Sequence, residues 1–502
     1  MLNDFIKKHD IYLILFILTV ILSFGFFLAD SSMGIDDEML DWYGSFPSMI
    51  AAGRLGRIVQ WVIGYEYIPF FYDFITIILY SAAVLLSADC FMRYINGFSK
   101  KHACAFACAA VSFPFSAFVF AFIDTAFTIG VSLLAAAAGT YLFCRYLYED
   151  KSVKNLILSI LCLIFTVSLY ETGIIYFLIS IFFIIIKRNE QPLKEALKSF
   201  GAALFSVYAY LFILKAVKIA AHSGYDRSSE FVKYDFSSLG NFINSFFNGV
   251  NELINAFIQT LNVNFGSFSI LAGALIFAAY ISAVSIKRKS ILTGILGAAV
   301  ILLPLGAFFI TGNGSMPYRV YMPFGYMTAI ALSLLIDFKP EKKAVSYLAA
   351  AFIIFAVLNQ AKEINRYFYT ENLKFQEDLA FARFIMHDLG ALGLDKKPAV
   401  FAGKRDEIKL KYNYDFEITG AAISIFSWDK YGVPENELFV RRGFKFMQHH
   451  GLNIIPFSEF SQENIEKIKK EIPKMPAYPQ NGYIKDMGEF AVIKIGPSDF
   501  DL

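Results

Sequence analysis

Cysteine is scarce in these 502 residues: Cys90, Cys104, Cys108, Cys144 and Cys162 are all there are, and the last 340 positions hold none. A disulfide framework is therefore excluded, above all for any exported C-terminal portion. Cys104 and Cys108 stand four apart, but no His or acidic neighbour completes a metal set, so they read as small helix-packing residues. Charge of one sign is also lacking. A formal net charge of +2, with Lys and Arg scattered among short loops, gives no basic field of the kind that gathers nucleic acid. Glycine-rich phosphate loops, Cys/His zinc spacing and nucleophile-elbow signatures are absent, and no internal repeat or low-complexity segment stands out.

What is abundant is apolar. Hydrophobic residues make up 57% of the chain and charged residues 18%, with 55 Phe, 28 Tyr and only 3 Trp. Apolar stretches recur near 11–29, 68–88, 103–120, 125–144, 155–169, 172–186, 197–217, 267–286, 291–310, 318–336 and 344–358. Runs of about 18 or more apolar residues span a ~30 Å hydrocarbon core as helices. The expectation is a polytopic α-helical membrane protein with about eleven transmembrane helices, with tight turns at Asp124 and at Tyr170-Glu171. The first stretch follows Lys7 and Lys8 and resembles a signal peptide. It exceeds the usual h-region of roughly 7–15 residues and ends without a small-x-small cleavage site, so it reads as a retained first span.

Lys and Arg fix the expected orientation. With the N-terminus inside, alternate loops carry about 18 basic residues on that side and about six on the other (Arg54, Arg57, Lys218, Arg227, Lys233 and Arg319). An odd number of spans sends the tail outside. The expected division is a membrane domain over 1–358, with outer loops 30–67 and 221–266, and an extracytoplasmic domain over 359–502. This tail is charge-rich. It opens with an amphipathic helical stretch from Asn359 to roughly Leu392, then shows strand-like pieces at Pro398-Ala399-Val400-Phe401 and Ala491-Val492-Ile493-Lys494-Ile495, as in a small α/β domain.

Candidate chemistry lies in the expected outer loops. The first carries Gly34-Ile35-Asp36-Asp37-Glu38, then Asp41-Trp42-Tyr43, then Gly53-Arg54-Leu55-Gly56-Arg57. Three consecutive carboxylates repel one another and need solvent, a metal or a nearby cation. Held at a membrane surface they are a candidate general base or cation ligand, the alternative being a merely solvated acidic loop. Asp124 and Glu171 are wedged between apolar spans, where charges tend to face a cavity or partner; each is also placed to cap the next helix. Arg319 follows the turn Thr311-Gly312-Asn313-Gly314-Ser315-Met316-Pro317-Tyr318, and its fork suits a phosphate; snorkelling to ordinary headgroups is the alternative. His222, Tyr225 and Arg227 open the second long outer loop, whose middle part reads as an amphipathic helix in the interface.

The acidic first loop with Ala52-Gly53-Arg54-Leu55-Gly56-Arg57 and Ile68-Pro69-Phe70 is joined by Leu169-Tyr170-Glu171, Tyr318-Arg319, and the Asn365-Arg366-Tyr367-Phe368-Tyr369 to Glu377-Asp378 stretch. In this order and placement they resemble the GT-C superfamily and, more narrowly, the Gtr type II membrane glucosyltransferases that decorate surface polysaccharide such as O-antigen. The resemblance implies a GT-C-like fold in the bacterial cytoplasmic membrane. It also implies transfer of a hexose, glucose by family, from undecaprenyl-phosphate-glucose or a similar polyprenyl-phosphate donor to a glycan acceptor at the outer face. In that scheme Asp36 or Asp37 is the base, and Arg319, with Arg54 or Arg57 as alternatives, holds the phosphate. Glu38, Asp124 and Glu171 orient sugar hydroxyls or help hold a divalent cation such as Mg or Mn, and Trp42, Tyr43 and Tyr170 are candidates to stack on sugar faces. A transporter or flippase for a lipid-linked glycan is the rival class. It fits less well because no pair of Gly/Pro-broken helices in related halves is evident.

Overall fold

The computed structural model describes residues 11–30, 32–39, 45–63, 68–222, 233–262, 267–314, 318–337, 343–406, 410, 423–428, 437–457 and 461–497. Helix lies along all eleven apolar stretches, with breaks at 112–113 in the third and at 322–323 in the tenth. The principal helices of the membrane part are α1 (Ile11–Ala29), α2 (Pro69–Tyr94), α3 (Lys100–Val111), α4 (Ile123–Tyr148), α5 (Val153–Leu169), α6 (Gly173–Arg188), α7 (Pro192–Ala220), α8 (Leu239–Asn262), α9 (Ser267–Arg288), α10 (Ile291–Leu302), α11 (Phe324–Leu334) and α12 (Lys343–Ala391). Among the described residues seven helices are long and apolar enough to cross a membrane, or eight if a bent pair counts as one span. The chain is thus a polytopic helical membrane protein. α5 and α11 are apolar but shorter.

The bent pair is the 103–120 stretch, where α3 and Pro114–Phe120 meet at 43°. Proline explains the break. Its ring disfavours helical backbone at the residue before it, and Phe113 takes an extended conformation (φ −70°, ψ 124°). Elsewhere helices meet through small residues, the usual device where lipid removes the hydrophobic drive for association. A Cβ on Gly130 of α4 would lie 3.1 Å from Leu79 Cβ of α2, and one on Gly297 of α10 would overlap the Ile281 side chain of α9.

The chain divides into two compact units. One comprises 1–30, 41–368 and 417–420; the other comprises 31–40, 369–416 and 421–502. α12 runs without interruption past residue 358 and is 49 residues long, about 73 Å at 1.5 Å per residue. That is more than twice the hydrocarbon thickness, so only part of it can lie in a membrane.

Within the first unit, loops expected on the cytoplasmic side touch one another. Asp337 Oδ1 lies 2.8 Å from His102 Nε2, and its Oδ2 accepts from Lys187 Nζ at 2.7 Å. Glu149 accepts from Tyr94 Oη at 2.7 Å and Arg93 Nε at 2.8 Å, while Arg188 donates to the Tyr94 carbonyl. The Tyr94 hydroxyl, followed by Arg93 and Arg145, holds the Glu149 carboxyl below its usual range.

The second unit contains a four-stranded sheet in the order β2-β1-β4-β3. β1 (Pro398–Ala402) pairs in parallel with both β2 (Ile455–Pro456) and β4 (Ala491–Lys494), and β3 (Ile484–Asp486) pairs antiparallel with β4. The two pieces read from sequence as strands, near 398–401 and 491–495, are β1 and β4, in register from Ala399↔Ala491 to Ala402↔Lys494. Val400, Ala402, Phe457, Ile468, Ile472, Met475, Phe490 and Val492 form its core, with α14 (Gln462–Glu471) supplying Ile468 and α13 (Glu437–His449) connecting β1 to β2. Lys494 is buried beside this core, and its ammonium is satisfied by the carbonyls of Ile472 and Met475 at 3.0 Å each.

Candidate functional site

The acidic loop folds as a turn followed by a short 3₁₀ turn over Asp37–Met39. Asp36 takes φ +77°, left-handed backbone that costs most residues about 1 kcal/mol or more but that Asp and Asn tolerate. Its carbonyl accepts the Met39 N–H at 3.0 Å, and Asp37 Oδ2 accepts the Gly34 N–H at 3.1 Å. The three carboxylates are not equivalent. Asp37 and Glu38 are buried, at 0% and 1% exposure, whereas the Asp36 side chain is 29% exposed. The loop belongs to the second unit, where Arg442 of α13 meets it. Its Nη2 lies 2.8 Å from Asp36 Oδ1 and its Nη1 lies 3.1 Å from Glu38 Oε1. A buried guanidinium fork bridging two carboxylates supplies the cation that the run of acids requires.

Arg442 is the residue the sequence reading missed. It stands four hundred positions from the acids, in a charge-rich helix that also carries Arg441 and Lys445, and nothing local distinguishes it.

The second set of candidates lies in the first unit. Gly53-Arg54-Leu55-Gly56-Arg57 is moulded onto the turn that links α5 to α6. Tyr210 of α7 pins it from below: the hydroxyl donates to the Gly53 carbonyl at 2.6 Å and accepts the Leu55 N–H at 3.1 Å. Gly53 takes φ +68°, and a Cβ on Gly56 would overlap Ser168 Oγ and lie 2.9 Å from the Ser168 carbonyl carbon. Both glycines are therefore required by backbone geometry. This brings Arg54 over the Tyr170 ring at 4.6 Å and within 3.6 Å of Glu171 Oε1. Tyr170 is buried beneath the arginine. Arg57 is also buried and donates from Nε to Gln60 Oε1 at 3.4 Å.

Arg319 sits on a 3₁₀ turn (Tyr318–Tyr321), with its guanidinium 4.6 Å from the centre of the Phe122 ring. Phe122 is the residue before α4, two positions ahead of Asp124. Asp124 lies in the first turn of α4, and its side chain falls outside the described residues, as do Asp41, Trp42, Tyr43, Tyr225 and Arg227. His222 is described, at φ +51° just past α7. In the 365–378 stretch, Asn365 donates to the Leu22 carbonyl of α1 at 2.6 Å, and Arg366 pairs with Glu363. In the second unit, Asp378 accepts from Ser424 Oγ at 2.5 Å and the Ile425 N–H at 2.8 Å. These roles hold structure together. The sequence reading also passed over Asp73 and Thr76 of α2, both buried. Among the described residues no three His, Cys, Asp or Glu side chains gather as a metal-binding group.

The profile of the glucosyl transferase GtrII family matches residues 25–336. The chain belongs to the glucosyl transferase GtrII family. It is accordingly a glycosyltransferase, and the match spans Asp36, Asp37, Glu38, Arg54, Arg57, Asp124, Tyr170, Glu171 and Arg319, while the 365–378 stretch lies beyond it. The family segment ends before α12, so Arg442 and the sheet lie beyond it. No curated protein and no solved structure matches the chain.

Proposed function

We propose that this GtrII-family protein moves glucose from a polyprenyl-phosphate carrier to a surface-glycan acceptor at the outer face of a bacterial cytoplasmic membrane. The observation that carries the reading is the partly exposed Asp36 carboxylate within the family-matched segment, on a loop whose other two acids are buried. A general base must reach the hydroxyl it deprotonates, and Asp36, partly exposed although paired with Arg442, meets that condition better than the fully buried Asp37.

In this reaction Asp36 takes the proton from an acceptor hydroxyl as the oxygen attacks the anomeric carbon. The bond from that carbon to the phosphate oxygen breaks, and the lipid phosphate leaves with the electron pair. Arg319 holds the departing phosphate, with Arg54 and Arg57 as alternatives. In the family scheme Glu38, Asp124, Tyr170 and Glu171 are the residues assigned to the sugar. Eleven crossings with the N-terminus inside put the tail and the acidic loop on the outer face, and the mutual contacts of Asp337, His102 and Lys187 support placing their loops on one common side.

The test is transfer of radiolabelled glucose from polyprenyl-phosphate-glucose to glycan by the purified protein. Asp36→Asn keeps a residue that tolerates left-handed backbone and removes the charge, so the expected loss is about 10²–10⁴-fold in turnover. Undiminished transfer by Asp36→Asn would falsify the assignment of the base.

A further inference from the structure

We propose that α8 is an in-plane membrane helix whose apolar stripe rests in the lipid of the outer leaflet. It thereby clamps at a fixed depth the turn that leads to Arg319. The proposal goes beyond the transferase reading, and only the choice of leaflet rests on the orientation proposed with it.

At 100° per residue, three sectors run along the described part of this helix. One holds Phe242, Phe246, Gly249 and Leu253 and faces protein: Gly249 and Leu253 are buried, and the Phe246 ring lies 6.0 Å from Phe308. The opposite sector holds Asn241, Asn244, Asn248 and Asn251, with Glu252 beside them. Between them lies an apolar stripe that is uncovered: Leu239 is 76% exposed, Ile243 44%, Phe247 63% and Ile254 51%. A helix in water needs two sectors. Protein, lipid and water together call for three.

Charge and continuity identify the occupant as lipid. α8 contains no Lys or Arg and one carboxylate, Glu252, which Lys233 holds at 3.3 Å, so attraction to anionic headgroups supplies little and apolar insertion supplies the binding. Exposed apolar surface continues onto the end of the apolar 291–310 stretch: Phe309 and Ile310, next in sequence to the Phe308 that packs on α8, are 45% and 75% exposed. In sequence the helix lies between two spans, α7 and α9.

The clamp is made of glycine. A Cβ on Gly249 would overlap the Gly312 carbonyl oxygen, and a Cβ on Gly314 would lie 2.5 Å from the Leu253 backbone nitrogen. Lys233 N–H donates to the Thr311 carbonyl at 2.7 Å, and Tyr234 Oη reaches the Phe309 carbonyl at 3.3 Å. The backbone of α8 is thus seated on residues 311–314, which precede Arg319 in the sequence.

Two measurements test the helix position. In the full-length, cysteine-free protein in phosphatidylethanolamine/phosphatidylglycerol vesicles, nitroxide labels are placed singly at Asn241, Ile243, Asn244, Phe247, Asn248 and Ile254. The oxygen-to-nickel collision ratio is expected to rise at 243, 247 and 254 and fall at 241, 244 and 248, tracking a period of about 3.6 residues. In the unmodified protein, a diazirine phospholipid is expected to leave adducts on the 239, 243, 247 and 254 stripe. Equal access of nickel to both sets would place the helix in water, and exclusion of both reagents from the stripe would mean that protein covers it. Either result, or absence of lipid adducts from the stripe, overturns the proposal.

Discussion

Single residues carry the parts of this protein that are easiest to break. Arg442 supplies the counter-charge to Asp36 and to buried Glu38, and removing one partner of a buried pair commonly costs about 3–5 kcal/mol. Arg442→Ala is expected to loosen the acidic loop, seen as faster hydrogen exchange over residues 32–39 together with lost transfer. Arg442→Lys should restore only part of either, because an ammonium cannot bridge both carboxylates as a fork. Unaltered exchange in Arg442→Ala would mean that the loop is held by other means. A second residue-scale effect concerns His450, packed between the Phe375 and Phe446 rings at 5.1 and 4.8 Å. Burial, and then the neighbouring positive charges of His449 and Arg383, push its pKa below 6.5. A folded-state value lower than the unfolded one means the unfolded chain binds the proton more readily, so stability is greatest above about pH 6.5 and falls as pH drops below it. Hydrogen exchange over residues 443–457 should therefore quicken from pH 7.5 to pH 5.5 after correction for intrinsic rates, and His450→Gln should flatten that dependence.

Elements decide how the Arg54 segment is presented. Tyr210 contributes an acceptor and a donor to the backbone of Gly53 and Leu55, each hydrogen bond worth about 1 kcal/mol. Gly56 allows the segment to lie against Ser168 and Leu169. Tyr210→Phe and Gly56→Ala are each expected to reduce glucose transfer and detergent-solubilised thermal stability together. Gly56→Ala should be the more severe, since its methyl meets backbone as well as side chain and overpacking typically costs about 1–3 kcal/mol. A Gly56→Ala protein with normal stability and rate would show that the segment has room to move. The two glycines and the arginines were visible as a motif in the sequence. Their seat on Ser168–Glu171 was not, because it depends on Tyr210, more than 150 residues away.

At the scale of the whole molecule, the hydropathy pattern and the bias of Lys and Arg predict which surfaces meet which solvent. In intact cells, Lys396→Cys, on the exposed approach to β1, should react with a membrane-impermeant maleimide, and Lys151→Cys, in the α4–α5 loop, should react only after permeabilisation. The reverse pattern would invert the topology and with it the outer-face assignment of the reaction. The helices long and apolar enough to cross a membrane, seven or eight among the described residues, were legible because such a span announces itself by composition alone. One departure has a local cause: Pro114 splits the third stretch. The last apolar stretch and the expected helical stretch after it form the single helix α12, because neither Gly nor Pro interrupts it before Gly390.

What the sequence determined by itself is the class of molecule and the list of chemical groups. Apolar length sets the spans, since an unpaired peptide group in hydrocarbon leaves a helix no alternative. The acids and arginines of the GtrII segment also declare themselves as charges that apolar surroundings do not explain. Only the tertiary structure decided how those groups differ from one another. It buried Asp37 and Glu38 while leaving Asp36 partly open, set Arg54 on Tyr170 beside Glu171, and chose Arg442 to serve the acidic loop. The reason is physical: exposure and ion pairing depend on which distant backbone comes within a few ångströms, and no local pattern encodes that distance.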